Sequence, residues 1–191
     1  QKHKVVVSVV FLEKGTTKIM MSSAGTGFVT ENPGVIITAR HLLISTASAY
    51  DYVFMGTIIT DSAWINFPLS LVAIGEAGTF KDMMALRIDV ETMQRALAVG
   101  DIINPNPYGI LMKTSKFVDS KVGDEVYISG FAPVVAEYLD KNNQPVSIYM
   151  DLINHTFPAE VTAPISNMPG NRAGIKKFYR LLDSAEPGFS G

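Results

Sequence analysis

The first ninety residues consist of short apolar segments separated by Gly, Pro and Asn residues, and this spacing restricts the fold more than any other feature. We predict eight strands there: Lys4–Glu13, Lys18–Ser22, Gly27–Thr30, Val35–Thr38, Tyr52–Thr60, Trp64–Phe67, Ser70–Ile74 and Met83–Val90. β-Branched and aromatic residues at such short intervals favour an all-β barrel or sandwich over alternating strands and helices.

The second half of the chain begins with a change from strand-forming to helix-forming residues. Glu91–Val99 contains helix-forming residues and is followed by Gly100, which predicts a short connecting helix. DKNNQ (140–144) predicts a polar turn. Strands are predicted again in four segments: Glu125–Ser129, Val146–Ile153, Ala159–Pro164 and Ile175–Leu182. We therefore predict two β modules, at 1–90 and 116–191, joined by a connector at 91–115.

The composition excludes several classes of protein. With 47% hydrophobic and 18% charged residues the chain can bury a core, which a disordered chain cannot. No apolar run is long enough to span a membrane, and a net charge of −2 does not suggest nucleic acid as a partner. The absence of cysteine excludes a disulfide framework, a thiolate zinc site and a cysteine nucleophile. It is compatible with the cytoplasm, but the localisation stays open because the chain starts at Gln1, which suggests a processed or truncated product.

One histidine and one aspartate stand at the ends of predicted strands. His41 follows the apolar strand Val35–Thr38, a rigid position suited to chemistry, whereas His3 and His155 are better explained as terminal and structural residues. Asp82 heads the apolar stretch DMMALRI, where a carboxylate is costly unless it accepts hydrogen bonds. It is either an ordinary solvent-facing strand start or the carboxylate that orients a histidine.

A serine lies on a glycine-flanked turn in PGFSG (187–191). The glycines would let the backbone N–H groups of Gly188 and Ser190 point together at an oxyanion, although a polar loop is the ordinary alternative. The order His41, Asp82, Ser190 is that of the chymotrypsin group. It places the first two residues in one module and the serine in the other, with a site in the cleft between them.

Four segments together resemble one family. They are AGTGFVTENPGVIITARHLL (24–43), DMMALRID (82–89), VGDEVYISGFAP (122–133) and DSAEPGFSG (183–191). In this order they resemble the chymotrypsin-like (trypsin-fold) serine peptidases, and most closely the bacterial HtrA/Deg-like branch. Their order along the chain is more specific than any one of the motifs.

The resemblance implies a fold, an activity and roles for the residues. The fold would be two six-stranded antiparallel β-barrels. His41 would be the general base, Asp82 the residue that orients it and Ser190 the nucleophile, with the N–H groups of Gly188 and Ser190 forming the oxyanion hole. The chain would be a serine endopeptidase that hydrolyses protein or peptide substrates through an acyl-enzyme, without a metal or cofactor.

The sequence also departs from the family. Phe189 stands where trypsin has an aspartate that pairs with a freed N-terminus, so that mode of activation is not expected. Arg40 precedes His41, where the family has a small or neutral residue. The spacing suggests enlarged loops around 91–115 and 133–160. The family continues beyond the nucleophile, so we expect a fragment or a cleaved product with an incomplete second barrel.

Specificity and the competing functions stay open. By family position Ser184 or Asp183 would form the floor of the primary pocket, the serine favouring apolar side chains and the aspartate Lys or Arg, while Glu186 would lie at the rim or in solvent. We favour the apolar pocket. The alternatives are a trypsin-fold binding or scaffold protein that does not cleave, and a viral polyprotein-processing protease of the same fold. A homo-oligomer or larger assembly is compatible with either.

Overall fold

The structure is a computed structural model that describes residues 4–32, 34–44, 47–59, 64–76, 82–98, 120–139, 141–164 and 179–181. The described residues form a barrel in the first half of the chain and a separate sheet in the second half. One α-helix follows the barrel.

Six antiparallel strands close the barrel in the order β1-β2-β3-β6-β5-β4, and β4 pairs back with β1. The strands are β1 (Lys4–Leu12), β2 (Ile19–Val29), β3 (Val35–Ala39), β4 (Asp51–Ile59), β5 (Trp64–Ile74) and β6 (Met83–Ile88). Closure gives each strand a neighbour on both sides, so the barrel has no open edge. The prediction of a six-stranded first barrel is confirmed.

The barrel interior is filled by the alternate side chains of its strands. In β1, the side chains of Val5, Val7, Val9 and Phe11 all point inward and are fully buried, as the two-residue period of a strand requires. The other strands complete the same apolar core with Val29, Ile36, Phe54, Phe67, Leu69, Met84 and Leu86. Many of the apolar residues in the first ninety positions therefore form the interior of one barrel.

Two glycines allow neighbouring side chains to approach the backbone closely. A Cβ atom at Gly27 would lie 2.6 Å from Val7 Cγ2 and 2.7 Å from Ile36 Cγ2. A Cβ atom at Gly56 would overlap the ring of Phe67, which is completely buried opposite it in the β4–β5 register. Both positions therefore require glycine because the core occupies the space that a side chain would need.

Four of the predicted short strands belong to two long ones. The predicted strands at 18–22 and 27–30 are parts of β2, and those at 64–67 and 70–74 are parts of β5. Gly25, which lies between two of the predicted strands, pairs in register with Val7, and the ladder between β1 and β2 runs across it. Glycine favours a turn when the chain is considered alone, but it also lets a long strand coil around a small barrel.

The connector begins with the helix α1 (Val90–Ala98), one residue earlier than predicted. Asp89 caps it: its Oδ1 accepts the backbone N–H of Thr92 at 2.9 Å and its Oδ2 accepts the Thr92 hydroxyl at 2.8 Å. These bonds, the backbone one first, lower the pKa of the Asp89 carboxyl. Met93 is buried against the barrel core, so the helix covers part of the barrel. The short helix predicted here is confirmed.

The second sheet is built on a long hairpin. It contains β7 (Glu125–Leu139), β8 (Pro145–Pro164) and β9 (Tyr179–Leu181), all antiparallel and in that order. The predicted enlarged loop around 133–160 is wrong, because β7 and β8 pair through most of that segment. Between the two strands the described residues 141–144 form the turn, with Asn143 in the left-handed region at φ 60°.

The predicted second six-stranded barrel is not complete in the described part of the chain, where its sequence forms three strands. The enlarged loop predicted around 91–115 lies outside the described residues from position 99 onward. Among the described helices, none is both long enough and apolar enough to cross a membrane.

Candidate functional site

His41 is placed by the end of a buried strand. β3 ends at Ala39, and a single 3-10 turn, Arg40–Leu42, follows it directly. The turn is closed by a hydrogen bond from the Leu43 N–H to the Arg40 carbonyl at 2.9 Å. His41 therefore lies on a short rigid turn and not on a long loop.

Asp82 reaches the same place because β3 and β6 are neighbours. Their register pairs Ala39, the last residue of β3, with Met83, the first residue of β6. The backbone N–H of Arg40 continues the ladder by donating to the Asp82 carbonyl at 3.2 Å. The 3-10 turn and the residue before β6 therefore meet at one end of the barrel.

The two side chains are in direct contact: His41 Nδ1 lies 2.8 Å from Asp82 Oδ2. The His41 side chain is 55% exposed and that of Asp82 is 32% exposed. A carboxylate that accepts a hydrogen bond from Nδ1 fixes the tautomer of the ring and leaves Nε2 as the nitrogen that can accept a proton. The exposed imidazole is thus open to a reacting group on its other side.

A second pair of polar atoms lies buried at this site. Asp82 Oδ1 and Arg40 Nε are both shielded from solvent and have no hydrogen-bond partner among the described residues. The unused oxygen of Asp82 has the capacity to accept a further hydrogen bond. The position of Arg40 explains its backbone contact with Asp82, but nothing in the structure explains why its side chain is an arginine.

One residue that supports the site was missed by the sequence analysis. The hydroxyl of Ser23 in β2 donates to the carbonyl of Leu42, the last residue of the 3-10 turn that carries His41. The contact ties the turn to a neighbouring strand. No motif surrounds Ser23, and only the fold brings it near a residue nineteen positions later in the sequence.

The remaining predicted site residues lie outside the described part of the chain. These are Ser190 and Gly188 of the proposed nucleophile turn, and Asp183, Ser184 and Glu186 of the proposed pocket. His155, expected to be structural, lies in β8 opposite Gly130 and is half-buried. The structure therefore brings together two of the predicted residues, His41 and Asp82.

Within the described ranges, the His, Asp and Glu side chains form no group of three or more that could hold a metal ion. The chemistry that His41 and Asp82 can perform together is proton transfer. An imidazole held by a carboxylate is a general base, and its conjugate acid is stabilised by the same contact.

Comparison with known proteins gives a match at the level of structure. No protein-family model matches the sequence, and the comparison with curated proteins also gives no match. Three similar solved structures are the HtrA-type protease AlgW with decapeptide, Deg5, and the MamO protease domain from Magnetospirillum magneticum in its apo form.

The three matches differ in strength. AlgW is 12% identical with a TM-score of 0.55, and the match covers 100% of this chain and 51% of AlgW. Deg5 is 16% identical with a TM-score of 0.49 and coverage of 97% and 71%. MamO is 14% identical with a TM-score of 0.39 and coverage of 96% and 75%.

We base the comparison of folds on AlgW. The chain spans about half the length of the AlgW chain that it matches. The predicted resemblance to the HtrA branch of the trypsin-like peptidases thus has a structural counterpart at the level of the fold, in the match to AlgW.

Proposed function

We propose that this protein is a serine endopeptidase that hydrolyses peptide bonds through an acyl-enzyme. The observation that carries the proposal is the 2.8 Å contact between His41 Nδ1 and Asp82 Oδ2. A histidine oriented in this way needs only a hydroxyl within reach of Nε2 to become the base of a catalytic triad.

The nucleophile in this proposal is Ser190. Its Oγ attacks the carbonyl carbon of the scissile bond while His41 Nε2 takes its proton. Asp82 stabilises the resulting imidazolium without itself taking the proton. The backbone N–H groups of Gly188 and Ser190 donate to the oxyanion of the tetrahedral intermediate.

The intermediate then breaks down in two stages. His41 returns the proton to the departing amine, which leaves an ester between the substrate acyl group and Ser190. A water molecule, deprotonated by His41, attacks this ester; the bond to Ser190 Oγ breaks, His41 returns the proton to that oxygen, and the carboxylic acid is released. The residues of this chain supply each proton transfer, so the proposed reaction requires no cofactor.

Several observations support the choice of substrate class. The fold matches that of AlgW, an HtrA-type protease whose structure includes a decapeptide. The exposed imidazole of His41 allows access by a chain as large as a peptide. Asp183, Ser184 and Glu186 remain the proposed pocket residues, with an apolar side chain as the preferred occupant.

The test is covalent labelling of the full-length encoded protein by a fluorophosphonate probe, together with hydrolysis of an unfolded protein substrate. We expect Ser190→Ala and His41→Ala each to abolish both signals while the fold is retained. Ser70→Ala is the matched control, because Ser70 is an exposed barrel serine whose hydroxyl bonds to the Arg87 carbonyl at 3.4 Å.

Two results would contradict the proposal. Hydrolysis that persists in purified Ser190→Ala would assign the activity to another residue. A folded wild-type protein that neither reacts with the probe nor cleaves unfolded protein would favour the alternative of a trypsin-fold binding or scaffold protein.

A further inference from the structure

The barrel and the second sheet meet at a polar junction. We define the junction as Lys4 and Thr26 of the barrel together with Ser129, Phe131 and Asn154 of the second sheet. The first two residues lie on the adjacent strands β1 and β2, and the last three lie on the paired strands β7 and β8. These side chains and backbone groups bond across more than a hundred residues of sequence.

Lys4 makes the side-chain contacts of the junction. Its ammonium group donates to Ser129 Oγ and to Asn154 Oδ1, and it lies 5.4 Å from the centre of the Phe131 ring. Ser129 and Phe131 are two positions apart on β7, so they share one face of the strand, and Asn154 is paired with Phe131 on β8. One cation thus binds both strands of the hairpin at once.

The environment of Lys4 is unusual for a lysine. Lys4 is half-buried, and none of the ion pairs formed by described residues includes it. Burial lowers the pKa of the Lys4 ammonium, which is a sign that its charged form is incompletely solvated. The contacts with two neutral oxygens and an aromatic ring partly offset that cost.

Thr26 makes the backbone contact of the junction. Its Oγ1 accepts the N–H of Phe131 at 2.9 Å, and both residues are buried. The carbonyl of Thr26 in turn accepts the hydroxyl of Thr38 at 2.9 Å. Thr38 is completely buried in β3, the strand that ends just before His41. A continuous set of hydrogen bonds therefore joins β7 to the strand that positions the proposed base.

The second sheet matters for the proposed reaction because it precedes the proposed nucleophile. β8 pairs with β9, and Ser190 follows β9 in the sequence. We propose that Lys4 and Thr26 are positioning residues, which set the barrel carrying His41 and Asp82 against the sheet that leads to Ser190. This inference adds two residues to the proposed function and, for its catalytic consequence, rests on that function.

The test measures the relation between the two parts directly. The chain has no cysteine, so Ser22→Cys on β2 and Glu125→Cys on β7, both at exposed positions, provide unique attachment sites for nitroxide labels. The distance distribution between the labels is measured by pulsed electron paramagnetic resonance in the full-length protein. The variants are Lys4→Met, which keeps the length of the side chain without its charge, and Thr26→Val.

The matched controls change the same residue types away from the junction. Lys18→Met alters an exposed lysine whose ammonium lies 3.7 Å from Glu13. Thr57→Val alters a buried barrel threonine whose hydroxyl donates to Asn66 Oδ1 at 2.7 Å. We expect the distribution to shift or broaden in both junction variants and to keep its wild-type shape in both controls.

A third junction variant, Asn154→Ala, leaves the barrel sequence intact and removes an acceptor of Lys4. It keeps the test decisive if Lys4→Met and Thr26→Val lower the yield of folded protein. Wild-type distance distributions in folded Asn154→Ala and in the folded barrel variants would overturn the inference.

The second measurement is the rate of fluorophosphonate labelling of these variants. A misplacement of about 1 Å can lower a reaction rate about 100-fold, so we expect junction variants to react about 10- to 100-fold more slowly than wild type. The pH at which labelling is half-maximal should stay unchanged, because His41 and Asp82 keep their own contact. Unchanged labelling rates with altered distances would refute the catalytic role of the junction.

The two measurements separate this inference from the proposed function. If wild type does not react with the probe, the peptidase proposal fails, but the distance measurement still decides whether Lys4 and Thr26 hold the two parts together. If wild type reacts and the distances are unaffected by the junction variants, only the present inference fails.

Discussion

The imidazole of His41 lies 2.8 Å from the carboxylate of Asp82, and the register between two strands produces this contact. β3 and β6 pair so that Ala39 is opposite Met83, and the residues just beyond these ends must then be close. A shift in register would carry Asp82 away from the turn that holds His41. The geometry of the site is thus a property of the barrel and not of a flexible loop.

Replacement of Asp82 by asparagine should remove activity and leave the fold unchanged. The amide is the same size as the carboxylate but can favour the wrong tautomer of His41, an effect that lowers kcat by about 10⁴ in a comparable triad. The measurement is the rate of peptide hydrolysis or probe labelling in Asp82→Asn. Asp51→Asn, an exposed carboxylate that accepts the Gly15 N–H, is the control, and equal activity of the two variants would contradict the role of Asp82.

Replacement of Gly56 by alanine should destabilise the barrel. The added methyl group would overlap the ring of Phe67, which is fully buried, so we expect a loss of about 1–3 kcal/mol in the free energy of unfolding. Urea denaturation measures the loss.

A double variant supplies the control for Gly56. Phe67→Leu replaces the ring with a smaller aliphatic side chain, so Gly56→Ala should cost less in a Phe67→Leu background than in wild type. An equal cost in the two backgrounds would show that the ring of Phe67 is not the cause.

The cap of α1 should make stability depend on pH in a defined way. The pKa of Asp89 is lowered in the folded state. The charge of Asp89 therefore contributes to folding stability above the unfolded pKa of about 3.9, and this contribution is lost as the pH falls through the lower pKa of the folded state. At pH 7 we expect the free energy of unfolding of wild type to exceed that of Asp89→Asn by about 0.3–1 kcal/mol, because the negative charge also interacts with the helix dipole.

The same comparison provides its own check. Asp89→Ala, which also loses the acceptors for Thr92, should cost about 1 kcal/mol at pH 7. The difference between wild type and Asp89→Asn should shrink below about pH 4, where the aspartate becomes protonated. A difference that stays constant from pH 7 to pH 3 would exclude a charge effect at this cap.

The hairpin turn should tolerate only certain residues at position 143. Asn143 has φ 60°, a conformation that costs most side chains about 1–2 kcal/mol. Asn143→Ala should therefore destabilise the second sheet by about 1 kcal/mol, whereas Asn143→Gly should be close to wild type. Hydrogen exchange in β7 and β8 measures the effect, and equal exchange rates in the two variants would contradict it.

Much of the barrel could be predicted from the sequence because its signals are local. The nearly continuous apolar runs of β1 and β3 identify strands, and TARH and DMMALRI place His41 and Asp82 at strand ends. The catalytic roles of these residues stay predictions. The continuity of β2 through Gly25 could not be predicted, because it depends on pairing with β1 and not on the preferences of the glycine.

The residues that hold the candidate site in place could not be predicted from the sequence, for a related reason. Ser23 meets Leu42, and Lys4 meets Asn154, only after several strands have been assembled. A single serine or lysine in a strand gives no signal of its distant partner. The sequence identifies residues with reactive groups more readily than those that hold them in place.

The closure of the barrel limits its capacity to pair with another chain. Both sides of every barrel strand are occupied, so a foreign strand has no backbone donors and acceptors to engage there. Strand exchange and self-association through strand pairing are therefore blocked at the barrel that carries His41 and Asp82.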